Sequence, residues 1–351
     1  MTVVANPRRG PAGRAGTAGT RVNLLKGQDW HACTYPYTVA IMNWRAVIAR
    51  MGFRARGKAR AQAASERILV QDTTFAARDG YKLAATVFVA PRPPRMAVVI
   101  CPAAAVPRKV YRGFAAYLAG KGFAVMTFDY RGIAGSKPAT LKDFPARMRD
   151  WAAFDIPAAI EHMRQLWPAI PLTYVGHSFG GQALGLIPNN YTISRALIIA
   201  AHAGYWQLAK APERYRIWLL LRIIIPRLVT KLGHAPGAKL GLSEDLPPGV
   251  FAEWARWSML PRYFFDDPSL EALKNFLVFA GKLRVLSFTD DPWATPPAVD
   301  LLCRGFTATQ PEQIVINPRE LKARRIGHFG FFRPERRDTL WKDAATWLGG
   351  G

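Results

Sequence analysis

A serine, an aspartate and a histidine, in that order along the chain, are the side chains whose types and spacing could do chemistry. The serine lies in Thr173-Tyr174-Val175-Gly176-His177-Ser178-Phe179-Gly180-Gly181, a short apolar strand running into G-x-S-x-G and then an apolar helical stretch from Gln182. A strand-to-helix turn this tight lifts the hydroxyl clear of the sheet, and its glycines leave room where Cβ atoms would clash. A serine hydroxyl is a poor nucleophile at neutral pH and needs a base in hydrogen-bond reach, itself oriented by a carboxylate. Val285-Leu286-Ser287-Phe288-Thr289-Asp290-Asp291-Pro292 sets two carboxylates just past a strand end, where sites in open parallel sheets are built. Ile326-Gly327-His328-Phe329-Gly330 then puts a histidine in the loop before the last helix, and no other histidine follows His234. The chemistry implied is attack of Ser178 on an acyl carbon, with His328 as base and Asp291 as the orienting acid. Asp291 is preferred because it directly precedes Pro292, the position from which the carboxylate can turn inward. Asp290 is the alternative, read otherwise as a turn or capping residue.

The charge that develops on the substrate oxygen needs N–H donors. Phe179, next after the nucleophile, is one. The loop Pro102-Ala103-Ala104-Ala105-Val106 supplies the other, with Ala104 expected to within one residue. His202, just past a strand end, is a candidate substrate contact, as are Tyr205, Trp206 and Trp254. His177 at the x position of the turn is expected to pack beneath it. His162 falls mid-helix, and His31 and His234 fall in irregular segments. Three scattered cysteines, Cys33, Cys101 and Cys303, make neither a disulfide framework nor a metal site.

Elements able to position these groups follow from the hydrophobic pattern. Ile68–Phe75 and Leu83–Val89 read as strands joined by a turn at Arg78-Asp79-Gly80-Tyr81, an antiparallel hairpin. Further strands are expected at Ala97–Cys101, Phe123–Phe128, Leu172–Val175, Ala196–Ala200 and Leu283–Phe288, with helices at Tyr111–Ala119 and Trp151–Trp167. Strands alternating with helices after a hairpin imply an α/β fold on a mostly parallel, twisted sheet. Between Ala200 and Leu283 the alternation stops, and a Trp- and Arg-rich, proline-broken, mainly helical segment takes its place. The organisation predicted is a core of residues 61–201 and 277–351, a helical cap or lid at 202–276, and a basic, disordered N-terminal extension at 1–60.

Of 351 residues, half are hydrophobic and 12% aromatic, ample for a globular core. The longest apolar run, Ile217–Val229, is interrupted by Arg222, Pro226 and Arg227, so it reads as a buried or interfacial helix rather than a membrane span. The net charge of +24 is unevenly spread: residues 1–60 carry eleven Lys/Arg against the single acid Asp29. This stretch also has the Arg-rich, acid-poor character of a transit peptide, and an over-extended start is the other reading. No zinc-finger spacing, RNP-like motif or basic helix with interleaved stacking aromatics accompanies the charge, so nucleic acid is not an expected partner. Residues 202–240 carry seven Lys/Arg and only Glu213. That is compatible with an acidic head group or an anionic membrane surface, but a solvated, Arg-rich surface is the preferred reading and membrane contact is not favoured. With no secretory segment near Met1, the cytoplasm is the expected location, and no cofactor is called for.

From about Ile68 to Leu348 the chain resembles the α/β-hydrolases, and more closely the bacterial group of predicted α/β-hydrolases related to serine aminopeptidase-like and monoacylglycerol-lipase-like enzymes. The resemblance is carried by Asp129-Tyr130-Arg131-Gly132 with Gly135-Ser136, Gly176-His177-Ser178-Phe179-Gly180-Gly181-Gln182, Ala203-Gly204-Tyr205-Trp206, Asp290-Asp291-Pro292-Trp293-Ala294, and Gly327-His328-Phe329-Gly330-Phe331-Phe332-Arg333. It implies the α/β-hydrolase fold and hydrolysis of an ester or amide through an acyl-serine. The oxyanion loop departs from the group's His-Gly pattern. The expectation is a serine hydrolase of a small carboxylic ester, the aromatic cap enclosing an apolar acyl group. Acyl transfer on the same residues and a non-catalytic ligand-binding role are the alternatives.

Overall fold

A computed structural model describes residues 68–351; the expected extension at residues 1–60 lies outside them. Eight strands form one sheet: β1 Leu69–Ala76, β2 Lys82–Val89, β3 Met96–Cys101, β4 Phe123–Phe128, β5 Leu172–His177, β6 Arg195–Ile199, β7 Lys282–Phe288 and β8 Glu312–Ile316. Their order across the sheet is β1-β2-β4-β3-β5-β6-β7-β8. β2 pairs antiparallel with both β1 and β4, and every pairing from β4 to β8 is parallel.

Burial follows position in the sheet. β4 and β5 are buried at every residue, as expected of strands covered by helices on both faces. The outer β1 alternates along its length, turning Asp72 and Thr74 to solvent. β8 is the strand the sequence pattern does not announce. Glu-Gln-Ile-Val-Ile opens on two exposed polar residues and lies at the opposite edge, where one-sided burial leaves no continuous apolar run to read.

Helices α1 Arg112–Gly120 and α2 Ile156–Leu166 connect the early parallel strands. α3 Phe179–Ala183 follows β5 immediately, so the helix starts three residues before the expected Gln182. Between β6 and β7 the chain runs through α4 Glu213–Leu219, a π-helical turn Leu220–Ile224, α5 Ile225–Leu232 and α6 Pro248–Ser258. α7 Pro296–Cys303 precedes β8, and α8 Lys342–Leu348 ends the chain. The segment between β6 and β7 has its own aromatic core, in which Trp257, Tyr263 and Phe264 are fully buried against one another. Arg149, just ahead of α2, fastens α6 to the body of the protein. It donates to Glu253 at 2.6 Å and to Asp267 at 2.9 Å. No helix among the described residues is long and apolar enough to cross a membrane.

Candidate active site

Ser178 sits at the junction of β5 and α3 with φ 50° and ψ −113°, a left-handed conformation that costs a non-glycine residue about 1–3 kcal/mol and must be held in place by its surroundings. What holds it is visible. The Ser178 N–H donates to the Ile199 carbonyl at 2.9 Å, and its own carbonyl accepts the N–H groups of Gly181 and Gln182 at 2.9 and 3.0 Å. Gly180 is required because a Cβ there would run into the Cys101 carbonyl, and one on Gly176 would come within 2.6 Å of the Gly180 oxygen.

Past β7, Asp291 is fully buried. Its Oδ1 accepts the N–H groups of Trp293 at 2.9 Å and Ala294 at 3.3 Å, and its Oδ2 lies 2.7 Å from His328 Nδ1. Burial alone would raise its pKa, but the His328 imidazole and the Trp293 N–H outweigh that and hold the carboxyl at about 2. The neighbouring Asp290 does different work: its two oxygens accept the N–H groups of Ile326 and Gly327, each at 2.9 Å. It therefore shapes the loop carrying His328. The His328 side chain is 6% exposed, packed among Trp293, Phe329, His177 and His202, with ring centroids 4.7 to 5.7 Å away. Its Nε2 is buried and has no hydrogen-bond partner among the described residues, an orphaned acceptor of the sort that reaction sites hold ready for substrate chemistry.

A cavity of about 350 Å³ opens over Ser178. Ala104, Phe179, His202 and Trp254 line it, with Ile217, Leu220, Leu221 and Ile225 along the α4–α5 stretch forming an apolar wall. The N–H groups of Phe179 and Ala104 make no hydrogen bond within the described residues, whereas that of Ala103 is taken by the Tyr111 hydroxyl at 2.8 Å. Ala105 has φ 60°, the left-handed residue that turns this loop. His202 Nδ1 donates to the Ala200 carbonyl at 3.2 Å, and burial with the nearby His328 pushes its pKa down to about 4, so the ring is neutral.

Tyr205 and Trp206, expected as substrate contacts, do not line the cavity. Trp206 opens the short 3-10 turn Trp206–Leu208, and its ring centroid lies 6.4 Å from that of Trp218 and 6.3 Å from that of Tyr205. Two features lay outside the sequence reading. Trp293 Nε1 donates to Glu213 at 2.6 Å, joining α4 to the Asp291 loop. The other is the α4–α5 wall, whose only signal was the interrupted apolar run Ile217–Val229.

Residues 92–245 match the family model described as serine aminopeptidase, S33. This span contains Ser178 but ends before Asp291 and His328. Solved structures similar to this chain include DcsB in complex with its substrate analogue, at 14% identity over 80% of this chain and 99% of that one, with a TM-score of 0.55. An esterase of Pyrococcus furiosus matches at 13% identity over 84% of this chain and 95% of that one, with a TM-score of 0.53. The esterase domain of a Rhodothermus marinus protein matches at 15% identity over 80% of this chain and 98% of that one, with a TM-score of 0.50. At such identities the likeness speaks for the fold. No curated protein matches the sequence.

Proposed function

We propose that this chain, a member of the α/β-hydrolase superfamily, is a serine hydrolase that cleaves a small carboxylic ester through an acyl-serine. The observation that carries the reading is the buried Asp291–His328 pair at 2.7 Å with Nε2 left unpartnered, in a fold that puts a serine on a strained elbow directly after His177, whose Nε2 lies 2.8 Å from the His328 carbonyl. In this mechanism His328 Nε2 takes the proton of Ser178 as its oxygen attacks the acyl carbon. Asp291 keeps the other ring nitrogen protonated and stabilises the imidazolium. The N–H groups of Ala104 and Phe179 receive the developing oxyanion. His328 then returns the proton to the leaving alcohol, and water repeats the cycle in reverse to free the acid.

Residues 202–276 act as the cap in this reading, and the leucine and isoleucine wall accommodates an apolar acyl chain. The family model's description raises a peptide substrate as the second possibility. Among the described residues, the cavity lining bears Arg216 and no carboxylate to pair with a protonated amino terminus, which favours the ester. Ser178→Ala tests the reading: hydrolysis of short p-nitrophenyl esters and fluorophosphonate labelling are both expected to vanish, with thermal unfolding unchanged. Full activity in that variant would refute it. Parallel assays with amino-acid p-nitroanilides separate ester from peptide chemistry, and added alcohols or thiols report acyl transfer.

A further inference from the structure

His177, the residue just before the serine, belongs to a buried polar path that the mechanism above does not use. Its ring is fully buried. On one side Nδ1 lies 2.8 Å from the hydroxyl of Tyr111, which is itself fully buried in the turn ahead of α1. On the other side Nε2 lies 2.8 Å from the main-chain carbonyl of His328. A carbonyl only accepts, so Nε2 carries the imidazole proton and Nδ1 presents a lone pair. The Tyr111 hydroxyl must then donate to Nδ1. Its oxygen is left to accept the Ala103 N–H at 2.8 Å.

One proton arrangement satisfies every polar atom on this path, and it runs in a single direction: Ala103 N–H to Tyr111, Tyr111 O–H to His177, His177 Nε2–H to the His328 carbonyl. Burial, reinforced by the nearby His328 ring, pushes the His177 pKa down to about 3, so the imidazole stays neutral and the direction does not reverse. The rings are also locked by packing, with Phe332 edge-on to Tyr111 at 4.7 Å and tilted on His177 at 4.9 Å.

The ends of the path matter. Ala103 adjoins Ala104, which lines the cavity and whose N–H makes no hydrogen bond among the described residues, in a loop strained at Ala105. Its alanines have no polar side chain with which to tie the loop down. His328 is the base, and His177 is bonded in sequence to the nucleophile. We infer that Tyr111 and His177 are positioning residues which hold the oxyanion loop, the elbow and the base-bearing loop in one hydrogen-bonded chain; this rests on the serine-hydrolase reading above. The path sets the oxyanion donor and the base against a common reference, the residue preceding Ser178. A bulky apolar residue at position 177 would fill the space without doing so.

The full-length protein is assayed on a p-nitrophenyl ester, with kcat expressed per active site titrated by a fluorophosphonate, so that any unfolded fraction drops out. Tyr111→Phe keeps the ring and removes the hydroxyl. It is expected to lower kcat about tenfold with KM changed by less than about twofold, the pattern of lost alignment in the transition state. His177→Gln, which keeps an N–H able to reach the His328 carbonyl, is expected to retain more kcat than His177→Leu. Equal kcat per titrated site in wild type, Tyr111→Phe and His177→Leu would overturn the proposal. Nitrogen NMR of the imidazole gives a readout independent of turnover: the Nε2–H tautomer is expected, with the Nδ1 resonance shifted in Tyr111→Phe. The opposite tautomer would overturn the path alone. Absence of labelling in the wild type would instead take down the hydrolase reading, and the positioning role with it.

Discussion

Replacing Asp291 by asparagine exchanges an oxygen for an NH2 group and removes one buried negative charge. The surroundings dictate how the amide sits. Oδ1 already accepts the N–H groups of Trp293 and Ala294 at 2.9 and 3.3 Å, so the amide oxygen stays there and the NH2 takes the place of Oδ2, 2.7 Å from His328 Nδ1. An NH2 group cannot accept, so Nδ1 must give up its proton and the imidazole carries it on Nε2, the atom that has to receive a proton from Ser178. The imidazolium formed during attack also loses its counter-charge. Wrong-tautomer substitutions of this kind lower kcat by about 10⁴ in serine triads, or about 5 kcal/mol of transition-state stabilisation. Asp290→Asn is the internal control. The two oxygens of Asp290 each accept a backbone N–H at 2.9 Å, and an amide keeps one of those bonds, so a loss of about tenfold is expected. Steady-state hydrolysis of a p-nitrophenyl ester and the second-order rate of fluorophosphonate labelling measure both variants. If Asp291→Asn stays within tenfold of wild type, or if Asp290→Asn is the more damaged of the two, the assignment of the orienting acid is wrong.

Because burial holds the pKa of His177 down at about 3 and that of His202 at about 4, neither ionises between about pH 5 and 8. Neither ring is therefore expected to contribute to the acid limb of log kcat/KM over that range; a slope of two there would mean that one of them titrates with activity. Asp267 is buried, and although burial raises its pKa, hydrogen bonds from Arg256, Trp257 and Ser269 hold it well below the usual carboxylate range. A lowered pKa contributes stability that is present above the unfolded-state value of about 3.9 and is lost as the pH falls below it. Asp267→Asn is accordingly expected to cost about 3 kcal/mol at pH 7, and denaturant melts should show the gap to wild type narrowing below about pH 4. Leu221, nearly buried on the cavity wall, is the place to shorten the acyl site. Leu221→Trp should shift the preference along a p-nitrophenyl ester series toward shorter chains, and an unchanged profile would place the acyl group elsewhere.

The elbow was legible in the sequence because its causes are local. A turn that admits no Cβ at Gly176 or Gly180 leaves glycines at fixed spacing around Ser178, and strands buried on both faces leave short apolar runs. The order of serine, acidic pair and histidine was equally plain, and so was the α/β character of the sheet with its antiparallel hairpin. β8 escaped notice since an edge strand with exposed Glu312 and Gln313 carries little hydrophobic signal. What only the tertiary structure decided are contacts between residues remote in the chain. Asp290 and Asp291 are adjacent and chemically alike, and only the meeting of the two loops sends one carboxylate to an imidazole and the other to backbone N–H groups. Trp206 and Trp254 are the same residue type, yet the first lies in a 3-10 turn and does not line the cavity, whereas the second lines it from α6. Tyr111 and His177 stand 66 positions apart, and nothing in either neighbourhood states that a hydroxyl and a ring nitrogen will meet. Such pairings are fixed by how helices and loops pack on the sheet, a long-range outcome that local pattern does not encode.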